Sequence, residues 1–305
     1  MEFFSHKTKI NFMGARKVTA VFSILVSLAS IIVLCINGLH LGLDFTGGTE
    51  YKLSYPQAAD LSQMRVQLSN AHFPQAVVQA FGDTHTVLVR LGEAGDLTQE
   101  ALTTQIKEAL PDAQLMSVEY IGPQVGKELF INGALALLVA LLGTAVYIAL
   151  RFEYRFAVSA VVSLIHDPLI ILGVFSLFHI EFDLIALASV LTVIGYSLND
   201  TVVVFDRVRE NFRKMRTLTP VEIVNASVNE TLSRTLMTSF LTMLAVLALF
   251  FVGGNVVHGF SIAMIIGIVI GTYSSIYVAG ALALALGLSR QDLIPPPKTA
   301  YDERP

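Results

Sequence analysis

The chain has 305 residues, of which 54% are hydrophobic and 14% charged, with 20 Lys and Arg against 24 Asp and Glu for a net charge of −4. A soluble domain carries roughly a quarter charged residues, so the composition excludes an ordinary soluble globule and a disordered chain, and the charge balance offers no basic footprint for nucleic acid. Cys35 is the only cysteine, which excludes an intrachain disulfide and any CxxC metal or redox motif.

Apolar runs at about 18–38, 129–150, 156–178, 183–206, 233–252 and 258–288 approach or exceed the roughly 20 residues needed to cross a bilayer. The predicted fold is a polytopic α-helical membrane protein with six transmembrane helices. Its segments are an N-terminus at 1–17, helix one at 18–38, an outer domain at 39–128, a five-helix bundle at 129–288 and a tail at 289–305. The first run follows basic residues, as a signal peptide would. Its apolar stretch continues through Ile36, past the cleavage-like Ser27-Leu28-Ala29, and it reads as an uncleaved anchor. Large Val33 and Leu34 before Cys35 exclude a lipoprotein pattern.

The outer segment 39–128 opens on Gly42-Leu-Asp44-Phe-Thr-Gly47-Gly48-Thr49. Paired glycines permit positive φ and close backbone approach, so Asp44, Gly47 and Gly48 mark a structured junction or a hinge. Strand patterns then cover Glu50–Tyr55, Ala76–Phe81, Thr86–Leu91 and Leu115–Ile121. Helical patterns cover 60–72 and 96–110, the second with Leu97, Ala101, Leu102, Ile106 and Leu110 in phase. The order βαββαβ predicts a small ferredoxin-like α+β domain between helices one and two. Gly122–Glu128 resembles a P-loop only loosely: three residues separate the glycines and Glu follows Lys127. It reads as a turn back into helix two. The tail, with Pro295-Pro296-Pro297, reads as a flexible end.

Orientation follows from Lys and Arg placement. Lys7, Lys9, Arg16 and Lys17 precede helix one; Arg151 and Arg155 join helices two and three; Arg207, Arg209, Arg213, Lys214 and Arg216 join four and five; Arg290, Lys298 and Arg304 lie in the tail. The loops near 179–182 and 253–257 carry none. Both termini are predicted cytoplasmic.

Ionisable groups inside membrane segments are costly and are functional candidates by default. They are His166 and Asp167 before Pro168 in helix three, Asn199 and Asp200 in helix four, and Arg234 at the start of helix five. Ser159, Ser163 and Asp167 are spaced four apart; Ser189, Thr192, Tyr196, Asn199 and Asp200 share a broad face; Thr231, Arg234, Thr235, Thr238 and Thr242 form a third stripe. The three stripes are predicted to meet inside the bundle, with Asp200 beside Arg234. Burial favours the neutral acid while a guanidinium favours the anion, so the pair reads as a proton switch or as a static ion pair. His166 reads as a proton relay or as a donor to a carbonyl, and Pro168 should kink its helix. Gly267 and Gly271 form a GxxxG packing pair.

Several long motifs carry a family resemblance. The 42–49 segment, Val193-Ile-Gly195-Tyr-Ser-Leu-Asn199-Asp200-Thr-Val-Val-Val-Phe-Asp206-Arg207-Val-Arg209-Glu-Asn211, Ser233-Arg234-Thr-Leu-Met-Thr-Ser239, Ile165-His166-Asp167 and Leu177–Ile180 together resemble the SecF family of protein-export membrane proteins, within the RND superfamily, over about 15–290. Pro168 departs from the usual aliphatic residue and bears only on the geometry of helix three.

The resemblance implies a multi-pass protein of the bacterial inner membrane with a periplasmic outer domain. It further implies an accessory subunit of the Sec translocase that works with SecD and SecYEG, with YajC and YidC as further partners and unfolded polypeptides as clients. Protons are the coupling ion, driven by the proton-motive force, and no other cofactor and no metal is implied. Asp200 and Arg234 match the family's intramembrane pair; Asp167, His166 and Asn199 complete the expected proton pathway, part of which SecD supplies. Gly195, Gly267 and Gly271 are assigned to packing, and the length and short N-terminus imply a subunit separate from SecD. Two rival readings are an RND-type small-molecule transporter subunit, which would need a larger outer portion, and an intramembrane aspartyl protease using Asp167 and Asp200, around which no GxGD motif lies. A third is a non-catalytic scaffold whose polar stripes only pack helices. HExxH is absent.

Overall fold

The computed structural model describes residues 8–81, 83–92 and 98–289. Lys7, residues 96 and 97 of the second outer-domain helix, and tail residues 290–305 with their prolines and Arg290, Lys298 and Arg304 lie outside the described residues.

Six helical spans have the length and apolarity to cross a membrane. α1 (Arg16–Asn37) leads through β1 (His40–Leu41) and α2 (Leu43–Thr46) into the outer domain. That domain is built from β2 (Gly48–Ser54), α3 (Leu61–Asn70), β3 (Val77–Phe81), β4 (Asp83–Leu91), α4 (Gln99–Ala109) and β5 (Gln114–Ile121). The bundle follows as α5 (Pro123–Arg151), α6 (Tyr154–Leu177), β6 (Glu181–Phe182), α7 (Leu184–Lys214) and α8 (Pro220–Val252). The last span is α9 (His258–Tyr273), a π-helical segment (Ser274–Ala279) and α10 (Gly280–Ala285).

Three helices run further than their apolar runs, each for a local reason. α8 starts at Pro220 because Thr219 and Glu222 form a capping box, the Thr219 N–H donating to Glu222 Oε2 at 2.8 Å. α7 continues to Lys214 because its polar turns are held by ion pairs, Arg207 with Glu210 at 2.7 Å and with Glu230 at 3.1 Å. α5 starts at Pro123, directly after Gly122, where a turn was expected. α6 runs through Pro168 without a break, so the expected kink does not interrupt the helix. Proline still removes the N–H that Leu164 would have met.

Burial sorts the helices into two sets. In the most apolar windows of α6, α7 and α9, 61%, 50% and 50% of residues are buried, against 11% in those of α1, α5 and α8. The first three form the bundle centre, and the others present faces such as Val21, Leu25, Leu138 and Leu142 outward. Small residues let the central helices touch. A Cβ at Gly267 would collide with the Val193 side chain, and one at Gly271 would lie 3.2 Å from Ser197 Cβ. Gly195 differs: it is exposed and a Cβ there would meet nothing within 4 Å.

The outer sheet is antiparallel in the order β3-β4-β2-β5. Side chains alternate across a strand, so Tyr51, Leu53, Val87 and Val89 face α3 and α4, where they bury Met64, Leu68, Leu102 and Ile106. Glu50, Lys52, Leu88 and Arg90 occupy the opposite face, which lies over one end of the bundle. Asp60 caps α3 by accepting from the Ser62 and Gln63 N–H groups at 2.8 and 3.1 Å.

The domain is joined to the bundle by more than its two chain connections. β1 pairs in parallel with β6, and the Gly42 N–H donates to the Phe182 carbonyl at 2.9 Å. Gly47 and Gly48 have φ of +68° and +122°, which only glycine adopts readily. Gly47 packs so tightly on α5 that a Cβ would lie 2.9 Å from Pro123 Cα.

Candidate functional site

The centre of the bundle holds a carboxylate cluster. Asp167, fully buried midway along α6, uses both oxygens. Oδ2 accepts from Ser197 Oγ of α7 at 2.5 Å and from Ser274 Oγ of the π segment at 2.9 Å, while Oδ1 lies 3.0 Å from His166 Nδ1. Gly271 borders this site: a Cβ there would stand 3.6 Å from Asp167 Oδ2, an ordinary contact. A π turn shifts the side chains that follow it and recurs at functional sites; here it follows Gly271 by one turn and presents Ser274 and Ser275, both fully buried. His166 Nε2 and Ser163 Oγ, also buried, have no hydrogen-bond partner among the described residues.

Asp200 lies one turn beyond Ser197 on α7, 3% exposed, with no hydrogen-bond partner for Oδ2 among the described residues. Arg234 is near enough to act on Asp200 through its charge, but no hydrogen bond or ion pair joins them among the described residues, and Arg234 is exposed. The expected direct pair is therefore corrected to two charges held apart. The reason is helical phase: position 234 faces out of α8 while Thr235 faces in. Asn199 is corrected likewise. It is exposed beside Thr192 and Gly195 on an outward stripe of α7, while Ser189, Val193, Ser197 and Asp200 face inward. The three polar stripes do not converge as one. Tyr196 donates to Ser239 Oγ at 3.0 Å, and Ser239 lies 2.8 Å from Thr272 Oγ1, which makes a second polar line between α7, α8 and α9.

Asp167 and Asp200 share no hydrogen bond among the described residues, since the oxygens of Asp167 go to His166, Ser197 and Ser274. The shared proton of an aspartyl dyad needs direct contact, so this geometry is not a paired-aspartate centre. No group of three or more His, Cys, Asp or Glu among the described residues is placed to hold a metal.

A second charged cluster lies where the outer domain meets the bundle. Arg90 Nη2 of β4 donates to Glu50 Oε2 at 2.6 Å and to Glu181 Oε1 at 2.7 Å. Burial alone would lower the pKa of Arg90, but Glu181 and Glu50 outweigh it and hold the value above its ordinary one. Asp44 accepts from the Leu184 N–H at 3.0 Å, and Asp183 caps α7 by accepting from the Ala186 N–H at 2.6 Å. Burial pushes the Asp183 carboxyl up, and the charges of Glu181 and Asp44 add to this against the Ala186 N–H. Asp44, Gly47 and Gly48 all lie at this junction. Ser197, Ser274, Arg90 and Glu181 were missed from sequence; the available signal was the polar Ser274-Ser275 pair inside the last apolar run.

Six membrane-length helices with buried carboxyls among them define a polytopic helical membrane protein with an intramembrane polar site. The family model for the C-terminal part of protein export membrane proteins SecD/SecF matches residues 101–289, and the SecD/SecF GG motif matches 32–59. The chain belongs to the SecD/SecF family. It is 49% identical over 292 residues to the protein translocase subunit SecF of Vibrio alginolyticus, covering 94% of this chain and 93% of that one. It is 48% identical to that of Pseudomonas aeruginosa, covering 97% and 98%. A crystal structure of SecDF, a translocon-associated membrane protein from Thermus thermophilus, is 37% identical with a TM-score of 0.85, covering 93% of this chain and 39% of that one. SecDF in its super-membrane-facing form matches with the same identity and coverage and a TM-score of 0.70. This chain therefore spans well under half the length of the SecDF chains.

Proposed function

We propose that the chain is the SecF-type accessory subunit of the Sec translocase in the bacterial inner membrane, with both termini cytoplasmic. With SecD and SecYEG, and with YajC and YidC nearby, it uses the proton-motive force to drive late steps of polypeptide export. The observation that carries the proton-linked reading is Asp200, a buried carboxyl with an unpartnered oxygen beside a separated guanidinium. Such a group is tolerated as a neutral acid or as an anion with a cation close by. Proton uptake and release at Asp200 would alternate these states, with Arg234 drawn toward the anion and released from the acid. Asp167, His166 and Ser197 extend the polar line toward the bundle centre.

The outward stripe of Thr192, Gly195, Asn199 and Arg234 is where SecD completes the pathway. A polar face and a cation with no ion pair among the described residues are poorly suited to lipid. The outer domain, whose strand order is that of a ferredoxin-like unit, transmits the change to the client through its junction with the bundle. Two SecDF structures that match this chain at TM-scores of 0.85 and 0.70 support a fold with more than one arrangement. A potential of 100 mV supplies about 2.3 kcal/mol per charge, enough to bias a two-state bundle but not to move a long client in one stroke, so export proceeds by repeated cycles.

The placement of charged groups supports the orientation. Arg151 at the end of α5 and Arg209 in the last turns of α7 pair with Asp206 and Glu153 at one end of the bundle, while the 179–182 segment carrying Glu181, which has no Lys or Arg, meets the outer domain at the other. Export into inverted vesicles that contain the assembled complex tests the reading. Arg234→Met should abolish the proton-dependent stimulation, and normal stimulation would defeat the proposal.

A further inference from the structure

At the basic end of the bundle, α1 and α10 leave a groove of about 660 Å³ between them. Arg16 and Lys17 line it at one end, and Ile24, Val278 and Leu282 line it toward the bilayer interior. Positions 17 and 24 are about 10 Å apart along a helix, so the apolar wall reaches well into hydrocarbon depth. Lys17 is exposed and its side chain makes no hydrogen bond or ion pair among the described residues; the one side-chain bond of Arg16 there runs from Nη1 to the Met13 carbonyl at 3.0 Å. Neither cation has a carboxylate partner among the described residues, although this end of the molecule is otherwise laced with ion pairs such as Arg207 with Glu230. An occupant that matches this groove brings a negative charge at the interface and an apolar chain below it.

We propose that the groove binds one anionic phospholipid of the leaflet at the basic end, its phosphate between Arg16 and Lys17 and one acyl chain along Ile24, Val278 and Leu282. Charge complementarity selects the headgroup, and the apolar wall holds the chain. Tyr277 and Val278, which also line the groove, belong to the π segment whose Ser274 donates to Asp167. The lipid therefore rests against the element that supports the buried carboxylate.

The test is native mass spectrometry of the full chain, titrated with phosphatidylglycerol or phosphatidylcholine. Each basic residue near a membrane surface contributes about a fivefold preference for an anionic lipid, so two give roughly thirtyfold. Wild type should retain one phosphatidylglycerol at about thirtyfold lower concentration than phosphatidylcholine. Lys17→Gln, which leaves α1 and its Arg16 contact intact, should reduce that preference about fivefold, and Arg16→Gln with Lys17→Gln should abolish it. Ala281→Phe, which fills the groove, should remove the retained lipid of either kind. Equal retention of the two lipids, an unchanged preference in the double variant, or retention that survives Ala281→Phe would overturn the proposal. So would retention that appears only after residues 290–305 are deleted, because the tail would then be the occupant.

Discussion

Removing the hydroxyls around Asp167 tests whether the bundle centre is built on that carboxyl. Oδ2 accepts from two donors, Ser197 at 2.5 Å and Ser274 at 2.9 Å, in a site with no solvent exposure. Hydrogen bonds between membrane helices contribute about 0.6 kcal/mol on average and about 1.7 at most. Ser197→Ala leaves Ser274 on the same oxygen, so the expected loss is about 1 kcal/mol. Changing both serines leaves Oδ2 buried without a donor, and the desolvation penalty of roughly 1–3 kcal/mol is then added. The double variant should therefore lose about 3–5 kcal/mol, more than the two single losses together. In an Asp167→Asn background, where no charge needs the donors, most of that excess should vanish. Reversible unfolding in mixed micelles measures each corner of this cycle. A double variant that loses less than about 1 kcal/mol, or an excess that persists undiminished in the Asp167→Asn background, would refute the reasoning.

The other predictions concern packing and the outer junction. Gly267→Ala places a Cβ 2.7 Å from Val193 Cγ1 and should destabilise the bundle by about 1–3 kcal/mol. Val193→Ala in the same chain should relieve most of that, and equal penalties with and without it would contradict the clash. Arg90→Ala leaves Glu50 and Glu181 facing each other without their cation. Amide hydrogen exchange should rise at 40–42 and 181–184, and unchanged protection there would show that the ion pairs do not hold the junction. The raised pKa of Asp183 means that the folded state binds this proton more tightly than the unfolded chain does. Its contribution to stability is therefore full below the unfolded carboxyl range and is lost as pH rises through the folded value. Asp183→Asn keeps the cap and should flatten the melting temperature across that window; an unaltered slope would assign the effect to another group.

The sequence made the membrane architecture legible because hydrocarbon demands runs of apolar residues, and each of the six runs lies in a helix long and apolar enough to cross a membrane. The alternation in the outer segment located its strands for the same kind of reason: one sheet face packs apolar side chains on α3 and α4, and the other carries polar ones such as Glu50 and Arg90. Polar helix extensions carry no apolar signal, so residues 220–230 were not read as helix, and the Thr219–Glu222 capping box that starts it went unread. Asp167 and Asp200 stood out through the penalty of burying them, but their neighbours did not. A serine in an apolar helix looks alike whether it faces lipid or a carboxylate, and the π turn that aims Ser274 has no compositional mark. The polar face of α7 was too broad to phase, which is why Asn199 was placed inside and is found outside; Arg234, one residue before the inward-facing Thr235 on α8, was misplaced in the same way. Arg90 and Glu181 are 91 residues apart, and only the fold brings them together.

The central claim is that Asp200 and Arg234 form a proton-responsive site that a SecD-type subunit completes. Proton flux into proteoliposomes containing the purified complex, driven by an imposed potential and gradient, measures it most directly. With assembly unchanged, Asp200→Asn and Arg234→Met should each reduce the flux to that of protein-free vesicles. Flux at the wild-type rate in either variant would contradict the account.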